Sequence, residues 1–116
     1  MGGKPLSNPE VARTILQQLG GNKFVVMTGA KDFVYDDNSL RFRIPRNKSK
    51  ANIVTVSLRG DDTYNMIFRR YIMPKLNRKT WEWSKEKDET IRRFEGIYFD
   101  QLQELFTEVT GMYTRL

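Results

Sequence analysis

The chain has 116 residues, with 20 Lys and Arg against 14 Asp and Glu, 39% hydrophobic side chains and 29% charged ones. That is enough chain for one domain with its own core, and too apolar for a disordered polyelectrolyte. Cysteine and histidine are both absent, which excludes disulfides, thiol nucleophiles, serine–histidine or cysteine–histidine catalysis and, in effect, any zinc site.

The N-terminal Met1-Gly2-Gly3-Lys4-Pro5 has no signal-peptide core, and no apolar run approaches the roughly 20 residues of a membrane helix. The expectation is a cytoplasmic protein without a membrane partner, with residues 1–7 flexible. Residues 9–19 read as an amphipathic helix. Ser7 or Asn8 caps it, Pro9 suits its first position, and Ala12, Ile15, Leu16 and Leu19 share a face. Gly20-Gly21 stops it. The continuous apolar run Phe24-Val25-Val26-Met27 predicts a strand over 23–28, and Phe33-Val34-Tyr35 a second extended piece. Asp36-Asp37-Asn38-Ser39 has turn chemistry.

Leu40, Phe42 and Ile44 then alternate with Arg41 and Arg43, so a strand here sends its apolar side chains inward and both arginines to the other face. Pro45 ends it, and 46–52 is a polar, basic loop. Ile53 to Arg59 is a β-branched strand with Val54, Val56 and Leu58 inward. Gly60-Asp61-Asp62 connects it to a strand over 63–71, with Tyr64, Met66 and Phe68 inward. Residues 74–90 form a charged excursion, in which Thr80-Trp81-Glu82-Trp83 makes a last strand with both tryptophans on one side. A C-terminal helix begins within 92–97 and runs to about 110. Leu102, Leu105, Phe106 and Val109 form its apolar stripe, Phe94 and Tyr98 extend it upstream, and Gly111 is its stop. Gly96 costs about 1 kcal/mol in such a helix. The predicted fold is α+β in one domain, 1–116: an N-terminal helix, an antiparallel meander of four to six strands, and a C-terminal helix packed on one sheet face.

Charge is distributed unevenly. Leu40 to Lys79 holds 11 Lys and Arg and 2 Asp, a local charge of +9, while the rest of the chain sums to −3. Alternation places Arg41, Arg43, Arg59 and Arg69 on one sheet face, with few acids beside them. Arg46, Lys48, Lys50, Arg78 and Lys79 extend this track along the rim. Such a patch fits a phosphate backbone. Tyr71, Trp81 and Trp83 flank it and are candidates for base stacking, although aromatic residues in small domains more often build the core. No RNP-type pattern supports an RRM, and no Gly-rich phosphate loop is present. Asp36-Asp37 and Asp61-Asp62 are accounted for as turn residues, so no metal site, cofactor or catalytic residue is expected.

Two strings carry a resemblance. One is Thr14-Ile15-Leu16-Gln17-Gln18-Leu19-Gly20-Gly21-Asn22-Lys23-Phe24 with Met27-Thr28-Gly29-Ala30-Lys31. The other is Phe94-Glu95-Gly96-Ile97-Tyr98-Phe99-Asp100-Gln101-Leu102-Gln103-Glu104-Leu105-Phe106-Thr107-Glu108-Val109-Thr110-Gly111. Over most of its length from about Ala12, the chain resembles a family of small phage- and prophage-encoded proteins of unassigned function. The resemblance implies a viral or mobile-element origin and brings no established activity or site. The basic segment between Tyr71 and Thr90 is longer and more charged than in the shorter members. The combined expectation is a non-enzymatic, phage-encoded nucleic-acid-binding protein, of DNA rather than RNA, in the cytoplasm of the infected cell. Its alternatives are an inhibitor or modulator docking on an acidic surface of a host protein, such as a defence nuclease, and a virion or assembly accessory protein.

Overall fold

The computed structural model describes residues 9–114. The expected flexibility of 1–7 and the cap by Ser7 or Asn8 lie outside the described residues. Helix α1 (Pro9–Leu19) buries Ala12, Ile15 and Leu19 on the predicted face. The 23–28 segment is not a strand but helix α2 (Asn22–Thr28). Four consecutive apolar residues suit either state, and the glycines on both sides decide. Gly21 precedes the helix, and Gly29 closes it at φ 73°, its N–H donating to the Val25 carbonyl oxygen. Phe24 and Thr28, one turn apart, face the core, and Val26 is left 82% exposed.

Five strands follow in one antiparallel sheet: β1 (Lys31–Tyr35), β2 (Ser39–Arg43), β3 (Ile53–Leu58), β4 (Tyr64–Ile72) and, at the far edge, a long strand, Lys87–Ile97. Between the last two, β5 (Leu76–Asn77) and β6 (Glu82–Trp83) pair only with each other, which makes the Lys87–Ile97 strand β7. A 3₁₀ turn over Phe99–Gln101 leads into α3 (Leu102–Thr110), which Gly111 ends at φ 76°. The helices pack on one face of the sheet, giving the expected α+β architecture.

The inward residues of the central strands are those that alternation selects. Leu40, Phe42, Val54, Val56, Tyr64, Met66 and Phe68 are all buried, with Leu58 half-buried at the end of its strand. Phe106 enters this layer from α3, its ring centroid 5.1 Å from Phe24, 6.4 Å from Phe42 and 6.2 Å from Phe68. Contacts at these distances add edge-to-face and offset attraction to a large buried area.

The C-terminal helix begins at Leu102, not within 92–97, because β7 occupies 87–97. Two register shifts against β4 explain the misleading pattern. From Tyr64 to Met66 the partners on β7 step from Ile97 to Phe94, and from Phe68 to Arg69 they step from Arg92 to Thr90. Each shift inserts one extra residue into β7, as a β-bulge does. The core-facing Ile91, Phe94 and Ile97 therefore fall three apart, which is a helical spacing produced by a bulged strand. Gly96, at φ 67°, supplies the left-handed geometry at one bulge. Phe94 packs edge-on to Phe68 at 6.2 Å, whereas Tyr98 is exposed and belongs to no helical stripe.

Past Phe68, the β4–β7 hairpin leaves the core. No residue between Phe68 and Ile97 is buried. The Cα radius of gyration, 15.9 Å, exceeds the roughly 13 Å of a compact chain this long. The 74–90 excursion is therefore the outer part of a projecting two-stranded arm. Asn52 braces the arm's root. Its amide nitrogen donates to the Tyr71 carbonyl oxygen (2.7 Å) and its side-chain oxygen accepts from the Tyr71 N–H (2.8 Å), extending the β3 ladder by one side chain. Asn52→Ala leaves both backbone groups without this partner. It should cost about 1–3 kcal/mol in urea unfolding and accelerate hydrogen exchange at the Tyr71 amide.

Candidate nucleic-acid interface

Register builds the outer sheet face. Lys31, Arg43, Ile53, Arg69 and Thr90 lie in one row across the five strands, and Val34, Arg41, Thr55, Ile67 and Arg93 in a neighbouring row. Arg41, Arg43 and Arg69 thus share a face, as alternation requires. With Asp32, Val34, Phe42, Ile53, Tyr71 and Met73 they line a hollow of about 390 Å³. Its lining combines aromatic and aliphatic residues with three arginines, a set suited to a planar group that carries negative charge. Among the described residues Asp32 is its single carboxylate.

The face carries more acid than the linear sequence suggested. β7, whose sequence reads as the end of the charged excursion followed by the beginning of a helix, brings carboxylates alongside the arginines. Asp88 accepts from Arg69 Nε (3.0 Å) and Nη2 (2.6 Å), a two-point pairing at the root of the arm. Arg59, just beyond β3, lies 3.5 Å from Asp61 and 3.8 Å from Glu95, and donates to the Asn65 side chain. Arg93 also reaches Glu95 at 3.8 Å. Among the described residues no salt bridge engages Arg41 or Arg43. Of the four arginines expected to meet phosphate, these two remain available, and Arg59 and Arg69 brace the sheet. The Arg69 hydrogen bond holds the Asp88 carboxyl below its usual range. The Tyr71 hydroxyl donates to Glu86 at 3.1 Å, and the nearby carboxylate raises its pKa.

The sign of the Asp88 effect fixes a pH dependence. A carboxyl lowered in the folded state contributes stability above its ordinary pKa of 3.8, and this is lost as pH falls through the lowered value. Asp88→Asn should therefore be less stable than the parent at neutral pH. The gap should close on acidification below about pH 4, as read from urea midpoints across a pH series.

The remaining candidate residues do not form one continuous rim. Arg46, Lys48 and Lys50 cluster in a cleft with Arg70, on the connection between β2 and β3. Arg78 and Lys79 sit in the turn at the tip of the arm, where the Lys79 and Trp81 N–H groups donate to Asn77. Trp81 and Trp83 do not form a strand together. Trp83 pairs with Leu76 in β6, while Trp81 precedes it at φ 58°. They are 73% and 67% exposed, so neither contributes to the core. Left-handed geometry is costly for a bulky side chain, and here no burial offsets it. The C-terminal end of α3 touches the basic loop, as the Lys48 N–H donates to the Thr110 carbonyl oxygen at 3.3 Å.

Sequence reasoning missed Asp88, Glu86 and Glu95, whose placement depends on a pairing 19 residues long in the case of Arg69 and Asp88. It also passed over Arg70, although alternation along β4 signals that residue: it follows Phe68 on the core side, one position after the core ends. Among the described residues, no cluster of Asp or Glu is arranged to hold a metal ion, and no helix is long and apolar enough to cross a membrane. In comparisons with known proteins, the chain matches no family model, no curated protein and no solved structure.

Proposed function

We propose that the protein binds nucleic acid without catalysing a reaction on it, DNA being favoured over RNA, and that it does so in the cytoplasm of a phage-infected cell. The observation that carries this reading is the outer-face hollow. Arg41 and Arg43, outside any salt bridge among the described residues, border an apolar pocket formed with Val34, Ile53, Tyr71 and Met73. Phosphates would meet the guanidinium groups, which form strong charge-assisted hydrogen bonds, and a base or sugar edge would cover the apolar floor. The arm adds Arg78, Lys79, Trp81 and Trp83, cations and exposed indoles on a two-stranded ribbon. Stacking on such rings contributes about 1–3 kcal/mol per base. The phage origin rests on the resemblance of the strings 14–31 and 94–111.

The test is fluorescence anisotropy with labelled single-stranded and duplex oligonucleotides at several salt concentrations. Micromolar or tighter binding that weakens steeply with salt supports the reading. Salt-insensitive binding, or none at low salt, removes it and points the basic surface toward an acidic host protein. Trp81→Asn separates fold from function. Asparagine tolerates left-handed geometry, so stability should hold or rise by up to about 1 kcal/mol, while affinity for single strands drops if the ring stacks.

A further inference from the structure

We infer that the protein grips two separate nucleic-acid segments at once, one on each side of its sheet. This rests on the nucleic-acid reading above and adds a second site to it. Arg69 and Arg70 are consecutive on β4 and leave by opposite faces. Arg69 goes to Asp88 on the outer face, and Arg70 donates to the Lys50 carbonyl oxygen at 3.0 Å on the helix side.

There the connection between β2 and β3 folds into a cleft of about 560 Å³ lined by Arg46, Lys48, Lys50 and Arg70, with Asn47 and Asn52. Among the described residues no carboxylate lines this cleft. Nor does a salt bridge engage its four cations among the described residues.

The frame that holds these cations is built. The Asn47 side-chain amide donates to the carbonyl oxygens of Pro45 and Ala51, both at 2.8 Å, and its oxygen accepts from the N–H and hydroxyl of Ser49. The Lys48 N–H is tied to the end of α3, and Lys50 is fixed at φ 68°. Four like charges in one concavity repel one another unless an anion enters, and a phosphate backbone supplies closely spaced negative charge. The sheet and its buried layer of Phe42, Val54 and Phe68 separate this cleft from the outer hollow. A duplex is stiff over about 150 base pairs, so one seated on Arg41 and Arg43 cannot turn around the sheet end into the cleft. A second duplex segment takes that site.

The test is a sandwich capture with the full chain. A biotinylated short duplex is held on beads, a second, fluorescent duplex is added, and the retained label is read, with anisotropy on the same samples. The wild type should retain label. Arg41→Gln/Arg43→Gln and Lys48→Gln/Lys50→Asn/Arg70→Gln should each still bind one duplex by anisotropy, yet retain roughly ten-fold less label or lower, since each loses at least two phosphate contacts at one site. Asparagine at position 50 preserves the left-handed backbone. Wild-type binding by anisotropy without capture overturns the two-site inference while the nucleic-acid reading stands. Full capture by either variant also overturns it, because a self-associated protein using the unaltered face twice would then be the bridge. No wild-type anisotropy change with duplex removes the two-site inference, and no change with single strands either removes the nucleic-acid reading as well.

Discussion

Phe106→Ala should lower the unfolding free energy by about 3–5 kcal/mol, a large part of the 5–15 kcal/mol typical of a domain. Phe106 is fully buried and is the one ring of α3 that touches Phe24 of α2, Phe42 of β2 and Phe68 of β4. Truncation removes the transfer free energy of a phenyl group and leaves a cavity bounded by three elements, none of which can close it without shifting from the others. Phe106→Leu keeps most of the volume and should cost clearly less. Urea unfolding followed by tryptophan fluorescence is a poor probe here, since Trp81 and Trp83 are exposed on the arm. Far-ultraviolet circular dichroism reports the helices and sheet directly. A loss below about 1 kcal/mol for the alanine variant would contradict the packing described.

Arg41→Gln/Arg43→Gln should reduce the affinity of the outer face for nucleic acid by roughly 25- to 60-fold at 0.1 M salt and flatten that site's log–log salt slope by about 1.4 to 1.8, the range spanning single strands and duplex. Stability should change little, because Arg41 is exposed and neither side chain is in a salt bridge among the described residues. Arg69→Gln is the contrast. Its guanidinium is engaged by Asp88, so its replacement should disturb the root of the arm more than the salt slope. Equal effects of the two changes on the slope would mean that the Arg69–Asp88 pair opens on binding.

Much of the fold was legible in the sequence where one face of a strand is wet and the other dry. Leu40-Arg41-Phe42-Arg43 and the 53–58 and 64–68 runs alternate, with only Ile53 and Ile67 apolar on the outer face, and the structure buries most of the residues that alternation selects. The first helix was legible for the same reason at a different period. The failures occurred where periodicity is ambiguous or altered. Phe24 to Met27 is too short to have a period, and its state depends on Gly21 and Gly29. Ile91, Phe94 and Ile97 have a helical spacing because two bulges stretch a strand, and a bulge is a property of a pair of strands, which one strand's sequence does not encode alone.

The candidate site divides along the same line. The chain by itself determined that Arg41 and Arg43 leave the sheet opposite Phe42, since neighbouring side chains on a strand must point apart. It also determined that 40–79 is a strongly basic block. Only the tertiary structure decided which of those charges are available. Pairing of β4 with β7 carried Asp88 to Arg69 and Glu95 toward Arg59, and the folding of the 46–52 loop gathered three lysine and arginine side chains around Arg70, on the other side of the sheet from Arg41. Local steric rules set the face a side chain leaves by. The partner it finds depends on segments distant in sequence, and these meet only once the core has closed.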